Sequence, residues 1–239
     1  MHESDLDTSN KFCRIDTELL RDQTPESPAV TSWRIFRIMA EMVAGFEILK
    51  RYGLAATVFG SARATEHSEV YGQARALGAK LAGAGYTIIT GGGGGVMEAA
   101  NRGAFENKGS SVGLNIKLPI EQHLNGYVTD SETFHFFFTR KVALAYASEA
   151  YIFFPGGFGT LDEFFEIITL IQTKKIACIP VVLVGRDYWE PLLGWLRHTV
   201  YEKYRAVGED ELTIYHVVDT AEEAFAFIES MVPHDTPKQ

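Results

Sequence analysis

Residues 153–163 read Phe153-Phe154-Pro155-Gly156-Gly157-Phe158-Gly159-Thr160-Leu161-Asp162-Glu163, so a strand end, a glycine turn and the start of an amphipathic helix meet in one stretch. A strand that breaks through glycines into a helix turns backbone N–H groups outward at the positive end of the helix dipole, the geometry that holds a phosphate. Gly156, Gly157, Gly159 and Thr160 are therefore candidate anion-binding positions. Glu163 lies one turn inside the helix, close to whatever is bound there.

A second junction of this kind lies upstream, where Tyr86-Thr87-Ile88-Ile89-Thr90 enters Gly91-Gly92-Gly93-Gly94-Gly95 and the helical Val96-Met97-Glu98-Ala99-Ala100-Asn101-Arg102 follows. Glycine runs are often linkers. Here a strand enters and a helix leaves without a gap, so Gly92, Gly93 and Gly94 read as a backbone cradle, with Glu98 in the first turn beyond it. The run does not match Gly-x-Gly-x-x-Gly, and no Gly-Lys-Ser/Thr follows a glycine loop, which disfavours a dinucleotide cofactor and a Walker loop.

Working outward, strands at 54–60, 86–90, 111–116, 127–137, 150–154, 179–184 and 214–218 alternate with helices at 68–84, 96–107, 138–148, 160–172, 188–201 and 220–231. This alternation predicts an α/β fold, a Rossmann-like doubly wound parallel sheet with helices on both faces, as a single domain plus an N-terminal extension. Right-handed crossovers bring all βα loops to the carboxyl edge of the sheet. Gly60-Ser61-Ala62-Arg63, the pentaglycine run and the Pro155 turn then share one rim, with Ser61 and Arg63 available to ribose or phosphate or simply to cap the next helix. Residues 1–30 read as a polar, loosely ordered leader, 31–52 as an amphipathic helix, 53–232 as the nucleotide-binding domain and 233–239 as a tail.

The chain has 239 residues, 46% of them hydrophobic, and a net charge of −9, which argues against a general nucleic-acid or anionic-membrane binder. No apolar run approaches the roughly 20 residues of a membrane span, and the acidic, polar start is unlike a signal peptide, so the expected location is the cytoplasm. Cys13 falls in the leader and Cys178 in an expected buried strand, while the seven histidines are scattered; neither a disulfide framework nor a metal site is indicated. His135 reads as a packed or hydrogen-bonded core residue and Phe136, Phe137 and Phe138 as core, with stacking of one of them on a base as the alternative.

Thr160 and Glu163 also fit a capping box, as do Thr220 and Glu223. Glu166, three residues past Glu163, weakens that explanation for the first pair, because both carboxylates would share the helix face nearest the crevice. Arg140 and Lys141 follow the Phe136–Phe138 run with only Thr139 between, so the chain presents them as it leaves the core at a βα rim. Lys174 and Lys175 suit a helix C-terminus, although composition alone leaves open an aldimine with a pyridoxal cofactor.

With these residues in place, Pro155-Gly156-Gly157-Phe158-Gly159-Thr160-Leu161-Asp162-Glu163 resembles the Pro-Gly-Gly-x-Gly-Thr-x-x-Glu motif of the LOG ("lonely guy") family, and the glycine loop with Val96-Met97-Glu98 and the Arg140-Lys141 pair match in order and approximate spacing. The resemblance covers about Leu54 to Val184 and fits a longer bacterial-type member. It implies a cytoplasmic homodimer, with higher assembly open, that hydrolyses the N-glycosidic bond of AMP or an N6-substituted AMP to free purine and ribose 5-phosphate without cofactor or metal. Arg140 and Glu163 match the catalytic pair; Gly156, Gly157, Gly159, Thr160, Gly92, Gly93, Gly94, Ser61, Glu98, Lys141 and Glu166 are the expected substrate contacts. Members once labelled lysine decarboxylases belong to the same family, but no Ser-x-His-Lys motif is present here. The rival reading is a module of the same fold that binds or senses a nucleotide without cleaving it.

Overall fold

The computed structural model describes residues 28–118 and 123–232. Residues 1–27 of the expected leader, Cys13 among them, and the tail 233–239 lie outside the described residues, while residues 28–30 of that leader belong to the first helix. Helix α1 runs Pro28–Leu49, three residues earlier than periodicity indicated, because Pro28 suits a first helical turn, where its missing N–H costs nothing. The chain divides into two compact units at Ala40/Glu41, within this helix.

From Glu41 onward the chain builds one sheet. Its strands are β1 (Ala55–Phe59), β2 (Thr87–Thr90), β3 (Ser111–Ile116), β4 (Asp130–Phe134), β5 (Ala150–Phe153), β6 (Val181–Val184) and β7 (His216–Val218). The helices are α2 (Glu69–Gly83), α3 (Val96–Glu106), α4 (Phe137–Ala145), α5 (Phe158–Gln172), α6 (Arg186–Trp195) and α7 (Ala221–Met231). Every strand pair is parallel, and the order is β4-β3-β2-β1-β5-β6-β7. The winding reverses between β1 and β5, and a doubly wound sheet opens its crevice at that switch, outside the carboxyl ends of the strands.

Burial on both faces explains the unbroken apolar strands: all five residues of β1 are buried, with Ala56 and Val58 in one core and Ala55 and Phe59 in the other. The first core is closed by Tyr71 and Leu77 of α2, Val96 and Ala100 of α3, and Ile228 of α7. The second is closed by Ile48 of α1, Leu144 of α4, Phe164 and Ile167 of α5, and Trp189 of α6. Between α2 and α3 the approach is so close that a Cβ at Gly78 would meet Ala100 O and one at Gly103 would meet Arg75 O.

Several expectations need correction. The strand expected at 127–137 shortens to Asp130–Phe134, an edge strand whose exposure alternates, because a turn at 126–127 and a bend at 129 lead into it and a bend at 135–136 leads out into the next helix. Phe137 and Phe138 are exposed rather than core: at the start of α4 successive side chains fan out by about 100° each, and Thr139, Ala143 and Leu144 take the inward face. Cys178 is exposed in a loop, not in a buried strand, because the ladder of β6 with β5 starts only at Val181. The helix expected over 188–201 starts at Arg186 and passes at Leu196 into a wider π-helical segment ending at Lys203. His135 is hydrogen-bonded, to Glu41, but its side chain is partly exposed rather than in the core.

Candidate active site

The two strands flanking the switch point are stitched together at their carboxyl ends, where Ser61 N donates to Pro155 O at 3.0 Å and Val96 N donates to Ser61 O at 3.0 Å. The three expected loops therefore meet. Ser61 lies at their centre through its backbone, while its hydroxyl accepts from Arg63 N; the next helix is capped by Ser68 instead. A Cβ on Gly95, which has φ +66°, would strike Ser61 O and Ala62, so the pentaglycine loop packs against the first loop in a way that only glycine permits.

Around the Pro155 turn, Tyr188 donates to Gly156 O at 2.8 Å and the Thr160 side chain fills the space a Cβ on Gly156 would need. Gly157 is the N-cap of α5, and no side chain caps that helix start. Thr160 is thus already inside the helix, and the capping box that its spacing with Glu163 allows does not form. The box-like arrangement does occur downstream, where Thr220 Oγ1 accepts from Glu223 N at 3.2 Å. Nothing lies within 4 Å of a Cβ built on Gly157 or Gly159, so the approach to the start of α5 is unobstructed at these two glycines, while Thr160 N already donates to Gly157 O at 3.0 Å.

The glycine loop before α3 is held from behind by buried polar groups. Asn125 Nδ2 donates to Gly93 O at 3.0 Å, Gly92 O at 3.2 Å and Asn101 Oδ1 at 3.0 Å, and Asn125 N donates to Gly92 O at 2.9 Å. Thr90 Oγ1 donates to Asn101 Oδ1 at 2.7 Å and accepts from Gly92 N at 2.9 Å. Sequence reasoning gave these three residues no role. No local pattern marked them, since Asn125 reaches Gly93 O across 32 residues of sequence. Glu98 on α3 accepts from Tyr71 OH at 3.0 Å, and a Cβ on Gly94 would meet only Ala62 O at 3.6 Å and Glu98 Oε2 at 4.0 Å.

Arg140 and Glu163 stand at the same rim. Arg140 Nε donates to Leu114 O at 2.7 Å, and its Nη2 lies against Gly91, which a Cβ would displace. Burial pushes the guanidinium down from its ordinary value while the charge of Glu163 opposes that shift. Glu163 is 7% exposed, and its Oε2 is buried with no hydrogen-bond partner among the described residues. Burial raises its carboxyl, with Lys141 opposing, Glu166 adding to the rise and Arg140 opposing; the outcome is a carboxyl pushed up to about 8. Lys141 Nζ binds Asp162 Oδ2 at 2.8 Å and stands 3.2 Å from Glu166 Oε2, pairing with the charges on either side of Glu163. Burial lowers the Lys141 ammonium, but Asp162, Glu163 and Glu166 together outweigh it and raise it. Among the described residues no cluster of histidine, cysteine or carboxylate groups is arranged to hold a metal ion, and no helix is long and apolar enough to cross a membrane.

A doubly wound parallel sheet with two glycine turns at its carboxyl rim, and with the buried Arg140 and Glu163 in each other's field there, defines a Rossmann-like α/β protein. The chain belongs to the LOG family: the family profile described as "Possible lysine decarboxylase" matches residues 97–228. It is 34% identical over 167 residues to the rice "Probable cytokinin riboside 5'-monophosphate phosphoribohydrolase LOGL5", covering 66% of this chain and 65% of that one. It is also 34% identical over 168 residues to the Mycobacterium tuberculosis "Cytokinin riboside 5'-monophosphate phosphoribohydrolase", covering 66% and 84%. The chain thus spans just under two thirds of the rice relative's length and more of the mycobacterial one. Among solved structures, the molybdenum cofactor binding protein of Rippkaea orientalis shares the fold with a TM-score of 0.55 at 23% identity, over 74% of this chain and 94% of that one.

Proposed function

We propose that this protein is a nucleoside 5′-monophosphate phosphoribohydrolase acting on AMP or an N6-substituted AMP in the cytoplasm. The observation that carries the reading is Glu163: a buried carboxyl with an unpartnered oxygen, in the field of Arg140, one turn from an uncapped glycine helix start. A protein spends stability on such a group where chemistry needs it. The names of the rice and mycobacterial relatives agree with the reaction.

In this reading the 5′-phosphate rests on the amides at Gly157 and Gly159 beside Thr160, with Gly156 shaping the turn and Gly92, Gly93, Gly94 and Ser61 lining the opposite wall. Binding energy far from the reacting carbon then fixes C1′ beside Glu163. The bond from C1′ to the purine nitrogen breaks through an oxocarbenium-like state, the bonding pair leaving with the base. Glu163, ionised, stabilises the positive carbon and guides a water to it; the water's hydroxyl joins C1′ and its proton is balanced by protonation of the purine. Arg140 orients the nucleotide and favours departure of the base. Lys141, Asp162 and Glu166 hold the charge balance around Glu163, and Glu98 with Tyr71 faces the sugar side of the glycine loop.

The working unit in this proposal is a homodimer. Phe158, 93% exposed in the first turn of α5, leaves aromatic surface beside the site that a second copy would cover. Incubation of the purified protein with AMP, GMP, CMP and an N6-isopentenyl analogue, followed by chromatography for base and ribose 5-phosphate, tests the activity. Tight AMP binding with no product over hours contradicts it and leaves a binding module.

A further inference from the structure

We propose that Glu41, on α1, is a positioning residue for Arg140: its carboxylate caps α4 from outside and thereby fixes where that helix presents the guanidinium. The inference rests on the reading of Arg140 given above for its consequence in turnover, but not for its structural content.

Helix α4 starts badly by its own sequence. Its N-cap is Phe136, whose side chain has no acceptor, and no side-chain cap bond is made. At the position three residues on, where a glutamate would reach back to the N-cap amide, the chain has Thr139. Glu41 supplies the missing acceptors from another helix. Its Oε1 accepts from His135 N at 3.1 Å and lies 3.1 Å from His135 Nδ1, while its Oε2 accepts from Phe136 N at 3.3 Å and from Thr139 Oγ1 at 2.8 Å. One buried carboxylate, 8% exposed, therefore grips both the amides that enter the helix and the side chain immediately before Arg140. Its negative charge also sits at the positive end of the helix dipole.

The approach of α1 is built for this reach. One turn beyond Glu41, a Cβ on Gly45 would press at 3.1–3.3 Å on the Phe134 ring and the Ala143 methyl, so the helix passes closer to β4 and α4 there than a larger residue allows. At the far end of the chain of contacts, Arg140 is held by Arg140 Nε donating to Leu114 O. A shift of α4 at its start pulls on that bond directly, and a displacement of about 1 Å at a catalytic group can cost on the order of 100-fold in rate.

The experiment compares Glu41→Gln with the wild type and with Glu47→Gln, an exposed glutamate on the same helix that pairs with Lys50. Two readouts are taken: the Arg140 Nε–H resonance and its solvent exchange by 15N NMR, and kcat and KM for AMP. The expected result is exchange of Arg140 Nε–H accelerated about tenfold or more and kcat lowered at least about tenfold with KM within about threefold, only in the Glu41 variant. Thr139→Val, which removes one donor and leaves the carboxylate, gives a smaller change in the same direction and serves if the first variant does not fold. Unchanged Arg140 Nε–H exchange in the folded variants, with only a lower melting temperature, overturns the proposal. Wild-type turnover in Arg140→Ala would instead sink the catalytic reading of Arg140, while the exchange measurement would still decide the hold of Glu41 on it.

Discussion

Replacing Glu163 with glutamine should stabilise the fold while removing activity, and the size of the effect follows from the burial of the carboxyl. In the unfolded chain this group loses its proton near pH 4.5, whereas in the folded protein it holds it up to about 8. Between those values the folded state binds the extra proton, so the group's contribution to stability falls as pH rises, and above about 8 the penalty is constant. At pH 7 the interval is two and a half pH units, or about 3 kcal/mol at about 1.4 kcal/mol per unit. Glutamine carries no such penalty. For a chain of this size the variant should melt roughly 6–12 °C higher at pH 7, and by less at pH 5. Differential scanning calorimetry from pH 5 to pH 8 measures both curves, and turnover of AMP by the same samples should fall by at least about 100-fold. Melting temperatures that run parallel across this range, or a variant that is less stable at pH 7, would refute the argument that Glu163 is held in a desolvated, unpaired state.

Other outcomes follow from the same geometry. Because the proposed chemistry uses the ionised carboxylate, kcat/KM should climb about tenfold per pH unit below pH 8 and level off above it; a profile that is flat from pH 6 to pH 9 would remove Glu163 from the reaction, and one that falls would make it a proton donor. Asn125→Ala leaves Gly92 O and Gly93 O without their buried donor, so the protein should lose about 1–3 kcal/mol in denaturant titration and KM for AMP should rise more than kcat falls; an unchanged KM would separate the glycine loop from the nucleotide.

Much of the fold could be read from the chain because both-face burial writes apolar runs into the strands of a parallel sheet, as in Ala55–Phe59 and Val181–Val184, and because glycines mark the turns at their ends. The places where reading failed share a cause. Cys178 lies among apolar neighbours that look like strand, but only the ladder partner decides where pairing begins. Phe137 and Phe138 read as core because hydrophobicity carries no information about the rotation of a helix whose start is set from outside by Glu41. The glycine turns and the rim position of Arg140 and Glu163 were legible from order and spacing. The clamps behind them were not: Asn125 on the glycine loop and Glu41 on α4 act across 32 and 98 residues of sequence, respectively, and no local pattern carries such a contact.

The central claim is that two glycine turns at one sheet rim grip a nucleoside monophosphate so that Glu163 and Arg140 meet at its anomeric carbon. A crystal structure of the Glu163→Gln protein soaked with AMP measures this directly. The account predicts phosphate oxygens on the amides of Gly157–Gly159 and C1′ within about 4 Å of the residue-163 side chain, the separation of groups poised to react. Phosphate bound elsewhere, or C1′ turned away from residue 163 and Arg140, would contradict it.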